Sequence, residues 1–96
     1  MPKAYWIAHV EVTDPDTYGK YAAIATEAIA AHGGEFLARS GRYVQLEGND
    51  RARNVVAVFP SLEDAVACYN SDRYQEAVSY AKTSSKRDLM VVEGVD

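Results

Sequence analysis

Arg39, Glu47 and Arg53 are the residues of this sequence best suited to chemistry on a small molecule. Two guanidinium groups near one carboxylate can hold an anionic or enolic ligand through charge-assisted hydrogen bonds. The same three side chains can equally form a structural ion-pair network that fixes a bent hairpin. His9 falls mid-strand, on the face it shares with Tyr5 and Ile7. A histidine there can serve as a general base near neutral pH, or can simply be packed and hydrogen-bonded. Glu47 is the second candidate for moving a proton. The chain has seven tyrosines and one tryptophan. Trp6, Tyr18, Tyr21 and Tyr69, with Tyr74, fall on strand or helix faces that turn inward. They could wall an apolar pocket with polar tips, the kind that takes small aromatic ligands. The plainer alternative is that they fill the core and their hydroxyls reach its rim.

Other patterns carry less. His9 and His32 are the only histidines, and no Cys/His ligand spacing exists, so no metal site is expected. No cofactor is expected either, and no motif supports haem held by His9 or His32. Ser79-Tyr80-Ala81-Lys82 spells the S-x-x-K of acyl-enzymes but lacks its companion motifs. Cys68 has no positive neighbour in sequence to activate a thiolate, and it reads as a small buried residue. Gly33-Gly34 and Gly41 read as turn glycines, not a phosphate loop.

The elements that must position these residues follow from periodicity and punctuation. Val55 to Phe59 are apolar in succession, which marks a strand buried on both faces. Pro60 ends it, and Ser61 caps a helix with Asp64 three residues on. Leu62, Ala65, Val66 and Tyr69 recur at helical spacing. That helix falters at Asn70-Ser71 and restarts from Ser71 or Asp72, carrying Tyr74, Ala77, Val78 and Ala81. Upstream, residues 3–12 alternate as a strand, with Ala4, Trp6, Ala8 and Val10 on one face. Asp14 and Pro15 open a helix whose stripe is Tyr18, Tyr21, Ala22, Ala25, Ala28 and Ile29. Gly33-Gly34 closes it. Residues 35–39 form a short strand, kinked at Ser40-Gly41-Arg42 and resumed at Tyr43–Glu47. Residues 88–95 form the last strand.

The order β-α-β-β-α-β is the ferredoxin-like, α+β pattern: a four-stranded antiparallel sheet with two helices on one face. The first, third and last strands are apolar on both sides, so the uncovered face of the sheet must find a partner. A homodimer joined through that open face is predicted. The 96 residues suit one domain, 1–96. Folding hides only roughly 60–65% of the unfolded surface at this size, which a partner subunit offsets. The net charge of −4 argues against nucleic acid, and no run reaches the ~20 apolar residues of a membrane span. One cysteine and no signal peptide after Met1 fit a cytoplasmic protein.

Several segments resemble one known family. They are Lys3 to Val10, Gly33 to Gly41, Leu46-Glu47-Gly48, Arg53 to Val56 with Phe59-Pro60-Ser61, Cys68 to Ser71 with Tyr74-Gln75, and Val92-Glu93-Gly94. Together they are similar to the small bacterial family named domain of unknown function 1330, over nearly the whole chain. Arg39, Glu47 and Arg53 match positions of its pattern. The resemblance implies a dimeric α+β barrel. Broader relatives of that superfamily include cofactor-free monooxygenases, muconolactone isomerases and haem-binding barrels. No reaction follows from the fold alone. Two functional readings stand. In one, the protein binds a small aromatic or enolic compound, as a cofactor-independent oxygenase or isomerase would. Trp6, Tyr18 and Tyr21 are then walls, Arg39 and Arg53 stabilise negative charge, and His9 or Glu47 moves a proton. In the other, it is a ligand sensor or protein-interaction module whose polar groups hold the dimer together.

Overall fold

The computed structural model describes residues 2–95. Strand β1 spans Ala4–Val12, helix α1 Pro15–Ala31, β2 Glu35–Arg39 and β3 Arg53–Phe59. Helices α2 (Leu62–Asn70) and α3 (Asp72–Ser84) form the second crossover, and β4 spans Ser85–Glu93. The four strands make one antiparallel sheet in the order β2-β3-β1-β4. The fold is α+β and ferredoxin-like. Strands β1 and β3 are central, as continuous apolar runs require.

The caps sit where the sequence puts them. The Asp14 carboxylate accepts from the Thr17 N–H, with Pro15 at the first helical position. Ser61 caps α2 by accepting from the Asp64 N–H, and Ser71 caps α3 by accepting from the Tyr74 N–H. The second crossover is therefore two helices broken at one residue, so three helices cover the sheet instead of two. Gly33 ends α1 at φ 83°.

The core lies between the helices and the inward face of the sheet. It contains Trp6, Ala8 and Val10 of β1, Val55, Ala57 and Phe59 of β3, and Tyr18, Tyr21, Ala25, Ala28 and Ile29 of α1. From the second crossover come Ala65, Cys68, Tyr74, Ala77 and Ala81. The buried stripe of α2 is thus Ala65 and Cys68, whereas Val66 and Tyr69 lie exposed at its edge. The apolar spacing of that helix was right, but its rotation differs by about one residue.

Two strand assignments need correction. Tyr43–Glu47 is not a strand: residues 40–52 run as irregular chain with no ladder partner among the described residues. Its alternation is a local pattern, and alternation alone does not bring a ladder partner within reach. The last strand begins at Ser85, not Asp88, and pairs with β1 through Val12.

The reverse of the sheet is uncovered within the chain. Tyr5, Ile7, Val56 and Val58 are half-buried there, while Leu37, Met90 and Val92 are 59%, 52% and 42% exposed. One end of this face is polar. His9 Nδ1 lies 2.6 Å from Asn54 Oδ1, and Arg51 pairs with Asp88 at 2.8 Å.

Candidate functional site

Three neighbouring positions define the site. Val10 pairs with Arg53 on one side and with Arg87 on the other. Val10 points inward and is buried, so both arginines rise from the helix-facing side, two strand spacings or about 9–10 Å apart. Each guanidinium lies against a tyrosine of α1. Arg53 is 5.3 Å from the Tyr18 ring centre and Arg87 is 4.5 Å from that of Tyr21. Arg87 Nη2 donates to the Tyr74 hydroxyl at 3.2 Å, and the Tyr74 and Tyr21 hydroxyls share a hydrogen bond at 2.7 Å. Arg87 Nη1 and Arg53 Nε are buried with no acceptor.

Among the described residues, no carboxylate answers these charges. Among the described residues the ion pairs are Arg51–Asp88, Arg73–Glu27 and Arg73–Glu76, all outside this row. A desolvated cation without a counter-charge is costly, and the cost falls when an anion arrives. Burial raises the pKa of Tyr74 and of Tyr21, the nearby Arg87 charge opposing it, so both phenols stay neutral hydrogen-bonding groups. Burial also works against the charge on Arg87. The two tyrosines outweigh it, and its pKa stays above the ordinary arginine value.

Two cavities meet around Trp6. The larger, about 640 Å³, opens between α2, α3 and the edge strand β4. Trp6, Leu62, Val66, Tyr69 and Leu89 supply apolar walls, and Arg87 and Lys82 supply positive charge. This volume suits a small organic ligand. The smaller, about 20 Å³, has room for about one water and is lined by Tyr18, Tyr21, Phe36, Arg39 and Arg53 among others. The Tyr74 ring meets Trp6 edge-on at 5.1 Å and Tyr21 edge-on at 5.9 Å.

The residues expected from sequence are divided among four places. Trp6 borders both cavities, and Tyr69 stands at the lip of the larger one. Tyr18, Tyr21, Arg39 and Arg53 line the smaller. Arg39 is held there by Thr26, whose Oγ1 accepts from Nη2 at 2.8 Å, and by stacking on Phe36 at 4.4 Å. His9 is exposed on the opposite face of the sheet, bound to Asn54. Glu47 is exposed in the irregular 40–52 segment, where its backbone carbonyl accepts from the Gln45 amide. The expected Arg39–Glu47–Arg53 network is therefore not formed within the chain. Neither proton carrier reaches either cavity.

Arg87 is the residue that sequence reasoning did not place in a site, and Tyr74, read there as a pocket wall, instead holds the Arg87 guanidinium through its hydroxyl. Starting the last strand at Asp88 left Arg87 outside it. Extending the alternation of Leu89 and Val91 back by two positions would have put Arg87 on the inward face. Cys68 is fully buried, which pushes its thiol up to about 11 and rules out a thiolate nucleophile at neutral pH.

Comparison with known proteins agrees with this fold. A family model described as domain of unknown function (DUF1330) matches residues 3–95. No curated protein matches the sequence. A crystal structure of a protein of unknown function from Rhodopseudomonas palustris is similar at TM-score 0.82 and 15% identity, covering 99% of this chain and 84% of that one. SnoaB, a cofactor-independent oxygenase from Streptomyces nogalater, is similar at TM-score 0.67 and 12% identity, over 100% of this chain and 96% of its own. A dimeric protein of unknown function with a ferredoxin-like fold from Bacteroides fragilis gives TM-score 0.65 at 11% identity, over 96% of each chain.

Proposed function

The chain belongs to the DUF1330 family, and we propose that it binds a small aromatic or enolic anion in the cleft beside Arg87. The observation that carries this reading is the unanswered guanidinium. Arg87 lines a cleft of about 640 Å³, and among the described residues its buried Nη1 has no acceptor and the lining no carboxylate. A carboxylate or enolate oxygen supplies what that group lacks. Trp6, Tyr69 and Leu89 give a flat apolar wall for the rest of the ligand. The same guanidinium would favour a negative charge that develops on an enol oxygen, which is what a cofactor-independent oxygenase or isomerase needs. SnoaB lends the possibility of that chemistry on this fold, though fold likeness carries no reaction by itself.

The second reading, a ligand sensor, draws on a different observation. The described residues lining the cleft include no carboxylate and no imidazole to take a proton. In both readings the working unit is a homodimer joined through the open sheet face. Its apolar residues Tyr5, Ile7, Val56, Val58, Met90 and Val92 form a patch that a lone chain would leave to water.

The test is calorimetric titration with salicylate, a planar aromatic carboxylate bearing an ortho hydroxyl. Wild type binds it, and Arg87→Met weakens binding roughly 10- to 100-fold, the value of a charge-assisted hydrogen bond. Equal affinity in the two proteins would overturn the assignment of Arg87.

A further inference from the structure

The segment between β2 and β3 has the pattern of a bound element and no partner to bind. Val44 and Leu46 are 81% and 86% exposed, and Tyr43 is exposed beside them. Internal contacts hold the segment in shape: the Tyr43 hydroxyl donates to Asp50 at 2.6 Å, and Gln45 bonds the Glu47 carbonyl. An ordered, apolar, exposed arm of this length is a functional loop more often than a passive one.

Resting on the reading of the cleft as a ligand site, we infer that this arm closes the cleft of a second copy of the chain. The dimer geometry follows from how polarity is laid out on the open face. Its polar end holds His9, Asn54, Arg51 and Asp88, and its apolar end holds Tyr5, Val58 and Val92. A two-fold axis along the strands stacks polar end on polar end and apolar on apolar. An axis across the strands would mate unlike ends. The first choice also sets β2 of one copy over β4 of the other, since these are the two edges of the sheet. Exposed Leu37 then meets exposed Met90 and Val92 of the partner copy.

The arm leaves β2 after Arg39 and rejoins the sheet at Arg53, which is level with Arg87 across the strands. In that dimer it emerges beside the β4 edge of the partner, where the cleft opens. The chemistry of the two surfaces is complementary. Arm residues Val44 and Leu46 are apolar, and the cleft lip offers Leu62, Val66 and Met90. Glu47 is in no ion pair among the described residues, and neither is Lys82 on the cleft rim. The arm of each copy therefore lids the other's cleft and brings Glu47 toward Lys82 on its rim, leaving Arg87 to the ligand. The cleft is closed only in the dimer, with the Glu47 carboxylate confined to its rim.

Two measurements test this. Leu46→Cys and Lys82→Cys chains carrying different tags are mixed and oxidised mildly, with buried Cys68 left in place. The expected product is a mixed disulfide between the tags, well in excess of either like-tag product. Absence of that product while sedimentation shows a dimer overturns the lid, and so does a monomer by sedimentation. The second variant, Val44→Ser/Leu46→Ser, removes apolar contact from exposed positions and should still fold. It is expected to speed salicylate release at least fivefold with the dimer intact. An unchanged release rate, with Arg87→Met still weakening binding, overturns the lid and leaves the cleft standing. If wild type binds no salicylate, the cleft reading fails, and the mixed disulfide alone decides the placement of the arm.

Discussion

Replacing Tyr74 by Phe removes one oxygen from the centre of the arginine–tyrosine cluster and nothing else. The ring is 0% exposed and keeps its edge contacts with Trp6 and Tyr21, so no cavity opens. Two hydrogen bonds disappear, one from the Arg87 guanidinium at 3.2 Å and one shared with Tyr21 at 2.7 Å. A bond to a charged group contributes roughly 1.5–3 kcal/mol and a neutral one roughly 0.5–1.5 kcal/mol. The expected loss is therefore ~2–4 kcal/mol, and a midpoint drop of at least about 8 °C for a chain of this size. Urea unfolding followed by Trp6 fluorescence reads it well, because Trp6 is the sole tryptophan and touches the mutated ring. The urea dependence should keep its slope while the midpoint falls. Protein concentration is held fixed, since the proposed dimer would tie stability to it. Tyr80→Phe is the control, a partly buried tyrosine whose hydroxyl makes no hydrogen bond among those described. A Tyr74→Phe loss within 0.5 kcal/mol of that control would refute the coupling of Arg87 to the tyrosine pair.

Two further outcomes are expected. Cys68, fully buried with its thiol pushed up to about 11, should resist iodoacetamide at pH 8 in the native protein and react once unfolded. The sign for stability follows: an acid whose folded pKa is raised gives no penalty below its unfolded value near 9. It lowers stability as pH climbs from there toward 11, by up to ~2–3 kcal/mol, and Cys68→Ala should flatten that limb of the pH–stability curve. On the open face, Val56→Asp puts a charge at the middle of the apolar patch, on a position paired with Ile7. Sedimentation should give a monomer at micromolar concentration with an unchanged far-ultraviolet spectrum. A dimer that persists would move the interface elsewhere.

The fold was legible because its punctuation is local. Asp14-Pro15, Ser61 and Ser71 satisfy helix N–H groups from their own neighbourhood, so sequence alone fixes where those helices start. The doubly apolar runs of β1 and β3 likewise had to be central. The irregular 43–47 segment was misread for a physical reason: alternation says that a segment wants a pleated partner, but not whether its own chain holds one. His9 and Glu47 were assigned by residue type. Their real surroundings, an exposed sheet face and an exposed arm, depend on register and on loop path. The Arg53–Val10–Arg87 row was invisible for the same reason. It joins residues far apart in the chain, and only the pairing of three strands puts them side by side.

That row also bears on how a ligand is chosen. The chain carries a net charge of −4, so its outer field repels anions at long range. On the helix-facing side, half-buried Arg53 and Arg87 have no carboxylate partner among the described residues. An anion gains nothing from approach and much from desolvated contact. Under the proposed reading, such a site would discriminate by shape at the aromatic wall and by oxygen placement at Arg87, and a highly charged metabolite with little apolar surface would be disfavoured twice over. Small planar monoanions, able to leave water along one flat face, fit both conditions.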